Sequence, residues 1–297
     1  MNFDIGDVLS RAWQISWKNK SLWVFNVVLM LVSFLFLPVM LIPMIADIAG
    51  DQRIDDGLVL LLLIGGGVLF LLLIYPFGAL LNTALTKGVL HAEREDGKRT
   101  LMELVRESYP FFWRYLGTMA LFAGGMMLVM LLFSILTMLL SVLTFGLGML
   151  CILPFSLLQY PLMLVWYVCM EQALTAVVVD NMKVMDATKH SWQLFRNNIF
   201  SFVIVGLVFY FGVTMLSSIM VVPLIFPLFF VPFMFEAKEL GRVILVGGGI
   251  FIALFLPFFL IFQGALMTLM KSGWIITYLR ITRSTRTSQL VLQGAIA

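Results

Sequence analysis

The sequence is poor in charge, in histidine and in cysteine. Only 12% of its 297 residues are charged, and it has two histidines and two cysteines. Soluble domains carry about 25% charged residues, so a chain that is 62% hydrophobic, with a mean hydropathy of +1.05, does not fit a water-soluble fold. Cys151 and Cys169 would lie roughly 27 Å apart on one helix, too far for a disulfide. The composition predicts a polytopic α-helical membrane protein.

Motifs of catalysis and of cofactor binding are also missing. There is no GxSxG, no HExxH, no P-loop and no GxGxxG tied to a strand. His91 and His190 have no partner at the spacing of a metal site or a catalytic triad. A net charge of +3 is too small to favour nucleic acid. We therefore expect no catalytic residues, no cofactor, no metal site and no nucleic-acid partner.

Long apolar runs dominate the chain. Each has about the 20 residues needed to cross about 30 Å of hydrocarbon. The run Leu116–Met170 is long enough for two spans, and glycines with hydroxyl residues at Ser141–Gly148 place the turn between them there. We predict an all-α transmembrane bundle of six spans in a single integral membrane domain, residues 1–297. The other four predicted spans are Leu22–Ala46, Leu58–Leu85, Ile199–Pro223 and Val243–Met270.

Basic residues predict the orientation of the spans. With six spans both termini lie on one side, and that side holds 16 of the 19 Lys and Arg residues. The positive-inside rule then predicts that both termini lie in the cytoplasm. We expect the protein in the inner membrane of the cell. The 16 are Arg11, Lys18, Lys20, Lys87, Arg94, Lys98, Arg99, Arg106, Arg114, Lys183, Lys189, Arg196, Lys271, Arg280, Arg283 and Arg286, whereas Arg53, Lys238 and Arg242 fall on the other side.

One polar phrase occurs twice just before an apolar run. "AWQISWKNKSLWVF" at Ala12–Phe25 resembles "SWQLFRNNIFSF" at Ser191–Phe202. Polar and apolar residues alternate with helical spacing over 4–18 and 183–197, which predicts two amphipathic helices. A more divergent copy, Thr100–Tyr115, lacks Trp-Gln but begins with a capping box, and Pro110 ends its helix. We predict three helices that lie in the cytoplasmic interface.

These copies divide the chain into a possible threefold hairpin repeat, with units of about 1–98, 99–181 and 182–297. The pattern P-F-x4-[NQ]-x-A-L, which begins at Pro76 and again at Pro257, supports the division. Tryptophan favours the headgroup level, and each Lys or Arg near an anionic leaflet contributes about 1 kcal/mol. The helices either anchor the hairpins only, or grip headgroups or move as gates. The candidate headgroup residues are Trp13, Trp17, Lys18, Trp113, Arg114, Trp192 and Arg196, and Trp192 and Phe195 are expected in the lipid.

Few polar residues lie within the predicted spans, and those few are candidates for function. They are Asn82, Gln159, Glu171 and Gln263. They form either hydrogen bonds between helices or a polar path through the bundle. Three glycine clusters, Gly65–Gly67, Gly124–Gly125 and Gly247–Gly249, favour close helix packing, with broken helices that line a site as the alternative.

Loose motifs give the chain a family resemblance. Asp180, Ala187, Ser191-Trp192, Phe195-Arg196 and Tyr278-Leu279-Arg280 resemble the six-helix membrane domain of bacterial glycerophosphodiester phosphodiesterases and related prokaryotic membrane proteins of unknown function. The sequence has no soluble segment that could hold the catalytic barrel of those enzymes. The resemblance therefore implies a prokaryotic membrane module and transfers no catalytic residue to this chain.

We expect a non-catalytic membrane anchor, scaffold or lipid-interacting module whose partners are membrane lipids. The alternative is a small transporter for a lipid-like or apolar solute. The spans contain almost no ionisable groups, which disfavours ion-coupled transport. An intramembrane enzyme is the third hypothesis, but it would need acidic, His or Ser residues clustered at one depth.

Overall fold

The computed structural model describes residues 4–48, 56–94, 99–144, 148–225 and 238–294. These ranges are almost entirely helical and contain no β-strand, which confirms the predicted all-α fold. Arg53 and Lys98, two of the residues counted for orientation, lie outside them. In chain order the helices are α1 (Ile5–Lys18), α2 (Trp23–Ile48), α3 (Asp56–Arg94), α4 (Leu101–Ser108), α5 (Phe112–Leu143), α6 (Gly148–Val179), α7 (Val184–Asn197), α8 (Ile199–Gly206), α9 (Gly212–Ile225) and α10 (Lys238–Gly294).

Several helices follow one another with only a short break. A 3-10 turn at Lys20–Leu22 joins α1 to α2, and another at Tyr109–Phe111 joins α4 to α5. Pro110 lies in the second turn, as expected for a residue that cannot continue α4. A π-helical turn at Leu207–Phe211 joins α8 to α9.

Five stretches of helix in the described ranges are long and apolar enough to cross a membrane. A sixth is counted only if Ile5–Lys18 and Lys20–Phe36, which meet at 83°, form one bent span. The chain is therefore a multi-pass membrane protein. The five are Leu63–Arg94, Leu101–Leu143, Gln159–Val179, Ile199–Ile225 and Gly247–Arg283.

The helices extend beyond several of the predicted membrane spans. The turn within Leu116–Met170 is confirmed, because α5 ends at Leu143 and α6 begins at Gly148. Helix α3 continues to Arg94 and α6 to Val179, beyond the predicted span ends at Leu85 and Met170. In α6 the first two residues beyond Met170, Glu171 and Gln172, are helical and buried. With 57 residues, α10 is roughly 85 Å long, so part of it extends beyond the hydrocarbon.

The chain forms two compact units: Met1–Arg11 with Ser108–Val208 and Gly273–Ala297, and Ala12–Glu107 with Phe209–Ser272. The threefold division at 1–98, 99–181 and 182–297 stays a prediction. In the first unit, Trp274 is fully buried and its indole lies beside Tyr167. A Cβ on Gly206 would lie 3.1 Å from the side chain of Leu164 on α6, closer than an ordinary contact, so this glycine lets α8 pack closely.

The C-terminal part of α10 is tied to two other segments of the first unit. The hydroxyl of Tyr278, a fully buried residue, donates to the carboxylate of Asp180, which follows α6. The ring of His190 on α7 meets Tyr278 edge-on, with centroids 6.1 Å apart. Near the chain start, Asp7 pairs with Arg280 at 3.1 Å. Polar contacts therefore hold this end of the unit, where the apolar runs stop.

In the second unit, α2 packs against α3 and α10. The side-chain nitrogen of Asn26 on α2 donates to the hydroxyl of Thr268 on α10 at 3.0 Å, and both residues are buried. One turn earlier on α10, Gly264 faces the carbonyl of Trp23, which a Cβ would approach to 3.2 Å. Phe34 and Phe259 meet edge-on further along the same two helices. A polar pair, a glycine and an aromatic pair thus join α2 to α10.

The predicted glycine clusters do not mark the close approaches. Gly65, Gly67, Gly124, Gly247 and Gly249 would each have open space around an added Cβ. Of the clustered glycines whose surroundings are described, Gly125 alone is crowded, with the indole of Trp166 at 2.7 Å from its added Cβ. Isolated glycines such as Gly88 and Gly264 make the tight contacts instead, because packing depends on which helix face meets a neighbour and not on glycine density.

Candidate lipid-headgroup site

Helix α1 places two tryptophans on the protein surface. Asp4 begins the helix by accepting hydrogen bonds from the amides of Gly6 and Asp7 at 2.8 and 3.4 Å. The helix buries Val8, Ala12 and Ile15, whereas Trp13 and Trp17 remain 54% and 50% exposed. Trp13, one of the candidate headgroup residues, is therefore on the surface, although it follows the buried Ala12 directly.

An aromatic stack covers the bend between α1 and α2. The rings of Trp13 and Trp17 are stacked, with centroids 5.1 Å apart and planes inclined by 8°. Trp23 continues the cluster at 5.3 Å from Trp17, and its indole N–H donates to the carbonyl of Ser16 at 2.9 Å. The ammonium of Lys20 lies 5.8 and 6.0 Å from the centroids of Trp17 and Trp23. These cation–π distances fix the position of a basic group beside an exposed aromatic surface.

A pocket of about 420 Å³ opens at this bend. Three cationic side chains line it, and the described lining contains no carboxylate. Gly88 of α3 forms part of the wall, and a Cβ there would come within 2.4 Å of Leu22 and 3.1 Å of Leu104. The lining residues are Trp17, Lys18, Asn19, Lys20, Ser21, Leu22, Gly88, His91, Ala92, Arg99 and Leu104. We name this cavity the bend pocket.

One acidic group near the bend pocket, Glu107, is engaged with a lining residue. Nε2 of His91 lies 2.9 Å from a carboxylate oxygen of Glu107 on α4. The hydrogen bond crosses from α3 to α4 and directs the carboxylate toward the imidazole. The positive charges of Lys18, Lys20 and Arg99 are therefore not neutralised by an acid within the described lining.

The second short helix, α4, follows the predicted capping box. The Thr100 amide donates to Glu103 at 3.1 Å, and the Glu103 amide donates to the Thr100 hydroxyl at 3.3 Å. Trp113, at the start of α5, is 73% exposed. Arg114 next to it donates to the carbonyl and the side-chain oxygen of Asn181, at 3.1 and 2.7 Å. Asn181 has a φ of 54°, so this contact supports a left-handed turn between α6 and α7.

The third short helix, α7, repeats the arrangement of α1. Its buried face contains Ala187, Ser191 and Leu194, whereas Trp192 is 53% exposed and Arg196 is exposed. Phe195 is buried, so the expectation that its ring faces lipid is wrong. It packs on Phe202 instead, with centroids 6.2 Å apart. A sequence period places Phe195 near Trp192 but does not tell which of the two faces α8.

The predicted intramembrane polar residues have separate local partners. Asn82 donates to the Gly78 carbonyl of its own helix at 2.9 Å. Gln263 donates to the Ser217 hydroxyl of α9 at 2.9 Å, and Gln159 donates to the sulfur of Met130 on α5 at 3.0 Å. Glu171 is buried, and its carbonyl accepts from Thr175. Within the second unit the described hydrogen bonds do not join Asn82 to Gln263, and within the first unit they do not join Gln159 to Glu171.

Several polar residues were missed by the sequence analysis. Asn26 and Thr268 lie inside apolar runs, and a systematic search of the spans for amides and hydroxyls would have found them. Gln172 is fully buried, and its amide has no hydrogen-bond partner among the described residues. Lys20 and Arg99 were counted for orientation, but only the fold brings them to the same cavity.

A second cavity lies between α5 and α6 and is almost wholly apolar. It has a volume of about 210 Å³ and is lined by methionine, leucine, valine and aromatic side chains, with Gln159 as its polar member. The indole N–H of Trp166, at one end, donates to the Phe122 carbonyl at 3.2 Å. The described residues contain no group of three His, Cys, Asp or Glu side chains that would hold a metal ion.

Comparisons with known proteins do not assign a function to the chain, so a proposal has to start from the geometry described above. No protein-family model matches the chain, and searches of curated proteins and of solved structures found no match.

Proposed function

We propose that this chain is a non-catalytic membrane module that engages lipid headgroups at one face of the bilayer. The observation that carries the proposal is the exposed stack of Trp13 and Trp17, which lies beside Lys20 at the bend into the first apolar helix. An indole with a polar edge and an apolar face favours the headgroup level. A fixed ammonium beside it attracts the phosphate of the same lipids.

The same pairing of tryptophan with a basic residue recurs at the start of α5, just after α4, and on α7. Trp113 and Trp192 are both exposed, and Arg114 and Arg196 lie close to them in sequence. Three such pairs, each at the entry to a long apolar helix, suit a protein that is held at a defined depth. Fixing the depth of the protein in the bilayer would be an anchoring role, which we take as the minimum role of the three short helices.

The charge distribution supports a cytoplasmic location for these helices and for both termini, in an inner membrane. The resemblance to membrane domains of glycerophosphodiester phosphodiesterases supports a prokaryotic module of this kind. Two residues of that resemblance, Asp180 and Tyr278, are bonded to each other, and a third, Arg280, pairs with Asp7. Their packing favours a structural role for the shared motif.

Tryptophan quenching by brominated lipids tests the proposal. We would prepare chains that keep a single tryptophan, at Trp113 or Trp192, and reconstitute them in phosphatidylcholine brominated at shallow or deep acyl positions. Both indoles are expected to be quenched more strongly by shallow bromines. A chain that keeps only the fully buried Trp274 is the matched control and is expected to be quenched least. Equal quenching of Trp113 and Trp274 would contradict the proposal.

Transport of an apolar solute is the second candidate, and the apolar cavity between α5 and α6 favours it. Met130 lines that cavity, whereas Met138 on the same helix is exposed and does not. If the cavity carries solute, Met130→Trp should abolish uptake of a lipophilic dye into proteoliposomes and Met138→Trp should not. Uptake equal to that of protein-free vesicles would reject transport of this dye class.

A further inference from the structure

We infer that the bend pocket binds a phosphate group and prefers a phosphomonoester to a phosphodiester. The inference rests on the proposed function, because it names the part of a lipid that this corner of the protein would hold. The exposed tryptophans of α1, α5 and α7, each with a basic residue nearby, share a general attraction to headgroups. The bend pocket adds a site with walls.

The charges of the bend pocket select an anion. Lys18, Lys20 and Arg99 reach one cavity from two segments of chain that are about 80 residues apart in sequence. An arginine guanidinium forms paired hydrogen bonds with phosphate oxygens, and lysines add point charges. The Glu107 carboxylate is bonded to His91 and is not among the described lining residues.

The position of Lys20 is set before a ligand arrives. Its ammonium lies over the rings of Trp17 and Trp23, and Trp23 is held by its bond to the Ser16 carbonyl. A side chain that is already ordered loses less entropy on binding than a free lysine does. Gly88 lets Leu22 approach α3 closely, since an added Cβ would lie 2.4 Å from the Leu22 side chain.

The number of cations favours a monoester. A phosphomonoester carries about −1.5 to −2 charges at pH 7 and presents three acceptor oxygens. A diester carries a single negative charge and has fewer oxygens to share among three cationic groups. The volume of about 420 Å³ lies within the usual range for small-molecule sites, about 300–1,000 Å³.

Lipid titration of the full chain tests the inference. Phosphatidate and phosphatidylglycerol with identical acyl chains would be titrated into the detergent-solubilised protein, and bound lipid would be counted by native mass spectrometry. Phosphatidate is expected to bind more tightly. Lys20→Gln and Arg99→Gln should each weaken it about fivefold. Lys20→Arg should keep most of the affinity, and Lys183→Gln, which removes an exposed charge outside the pocket, should change it little.

Inorganic phosphate added as a competitor distinguishes the two sources of the ligand. Displacement of phosphatidate at low millimolar phosphate would support the phosphate site with a free ion as its ligand, and no displacement would support a lipid ligand. Equal affinity for both lipids, or equal loss in Lys20→Gln and Lys183→Gln, would overturn the inference. The proposed function would survive that result if Trp113 and Trp192 are still quenched from the headgroup level.

Discussion

The side-chain nitrogen of Asn26 donates to the hydroxyl of Thr268 at 3.0 Å across 242 positions of sequence. Both residues are buried, and they lie on α2 and α10 of one compact unit. The Thr268 hydroxyl in turn donates to the carbonyl of Gly264 at 2.8 Å. The amide of Asn26 on α2 thus extends a short hydrogen-bond chain on α10, one turn from Gly264, a glycine at which the two helices approach closely.

We predict a measurable coupling between Asn26 and Thr268. Polar contacts between membrane helices are worth about 0.6 kcal/mol on average and up to about 1.7 kcal/mol. Asn26→Ala, Thr268→Ala and the double variant form a cycle, read by SDS-induced unfolding followed by circular dichroism. A coupling energy within this range is expected. Ser218→Ala is the control, since its hydroxyl bonds within its own helix. Additive effects of the two substitutions would contradict the observed bond.

Gly264→Ala is expected to destabilise the packing of α2 on α10. An added Cβ would lie 2.6 Å from the side chain of Val27 and 3.2 Å from the backbone carbonyl of Trp23, which cannot rotate away. Overpacking of this kind costs about 1–3 kcal/mol, although alanine regains up to about 1 kcal/mol of helix propensity. The unfolding midpoint in SDS should fall.

Gly249→Ala on the same helix is the matched control for that experiment. Its Cβ would meet open space, so only the gain in helix propensity applies and stability should stay equal or rise. A loss of stability as large as that of Gly264→Ala would show that helix packing at Gly264 is not the cause.

Tyr278→Phe is expected to weaken the first unit. The substitution removes the hydroxyl that donates to the Asp180 carboxylate, and hydrogen bonds to charged groups contribute about 1.5–3 kcal/mol. The ring of Tyr278 is fully buried, so phenylalanine keeps its packing. Tyr160→Phe, at an exposed position, should change the free energy of unfolding by less than about 0.5 kcal/mol. Identical unfolding curves for the two variants would exclude a stabilising role for the bond.

Cysteine labelling checks the predicted orientation. In a chain whose Cys151 and Cys169 are replaced by alanine, Lys183→Cys should react with a membrane-impermeant maleimide from the cytoplasmic side only. Asp51→Cys should react from the opposite side only, because the basic residues predict that it lies in an external loop. Labelling of residue 51 from the cytoplasm would reverse or break the assigned topology.

Much of the helix layout could be predicted because it depends on local composition. Apolar runs of about 20 residues become helices wherever backbone groups must be satisfied without water. The turn before Gly148 and the capping box at Thr100 were located from glycines and hydroxyls that act within a few residues. Helices α3 and α6 continue past the predicted span ends, where polar residues such as Glu171 and Gln172 are buried.

The partners of side chains were far harder to predict. The sequence analysis expected both Trp192 and Phe195 in the lipid, whereas Trp192 is exposed and Phe195 is buried. Gly264 was overlooked and the Gly247–Gly249 cluster was favoured, since glycine density is visible in sequence and a neighbouring helix is not.

The sequence by itself determined that this is an all-α multi-pass membrane protein with three short polar helices and a strong asymmetry of basic residues. Hydrophobicity and helical period act over one to a few turns, so they can be read without a partner. The tertiary structure alone decided that Lys18, Lys20 and Arg99 share a cavity and that Asn26 meets Thr268. Such meetings depend on the rotation and pairing of helices, which arise from contacts between residues distant in sequence.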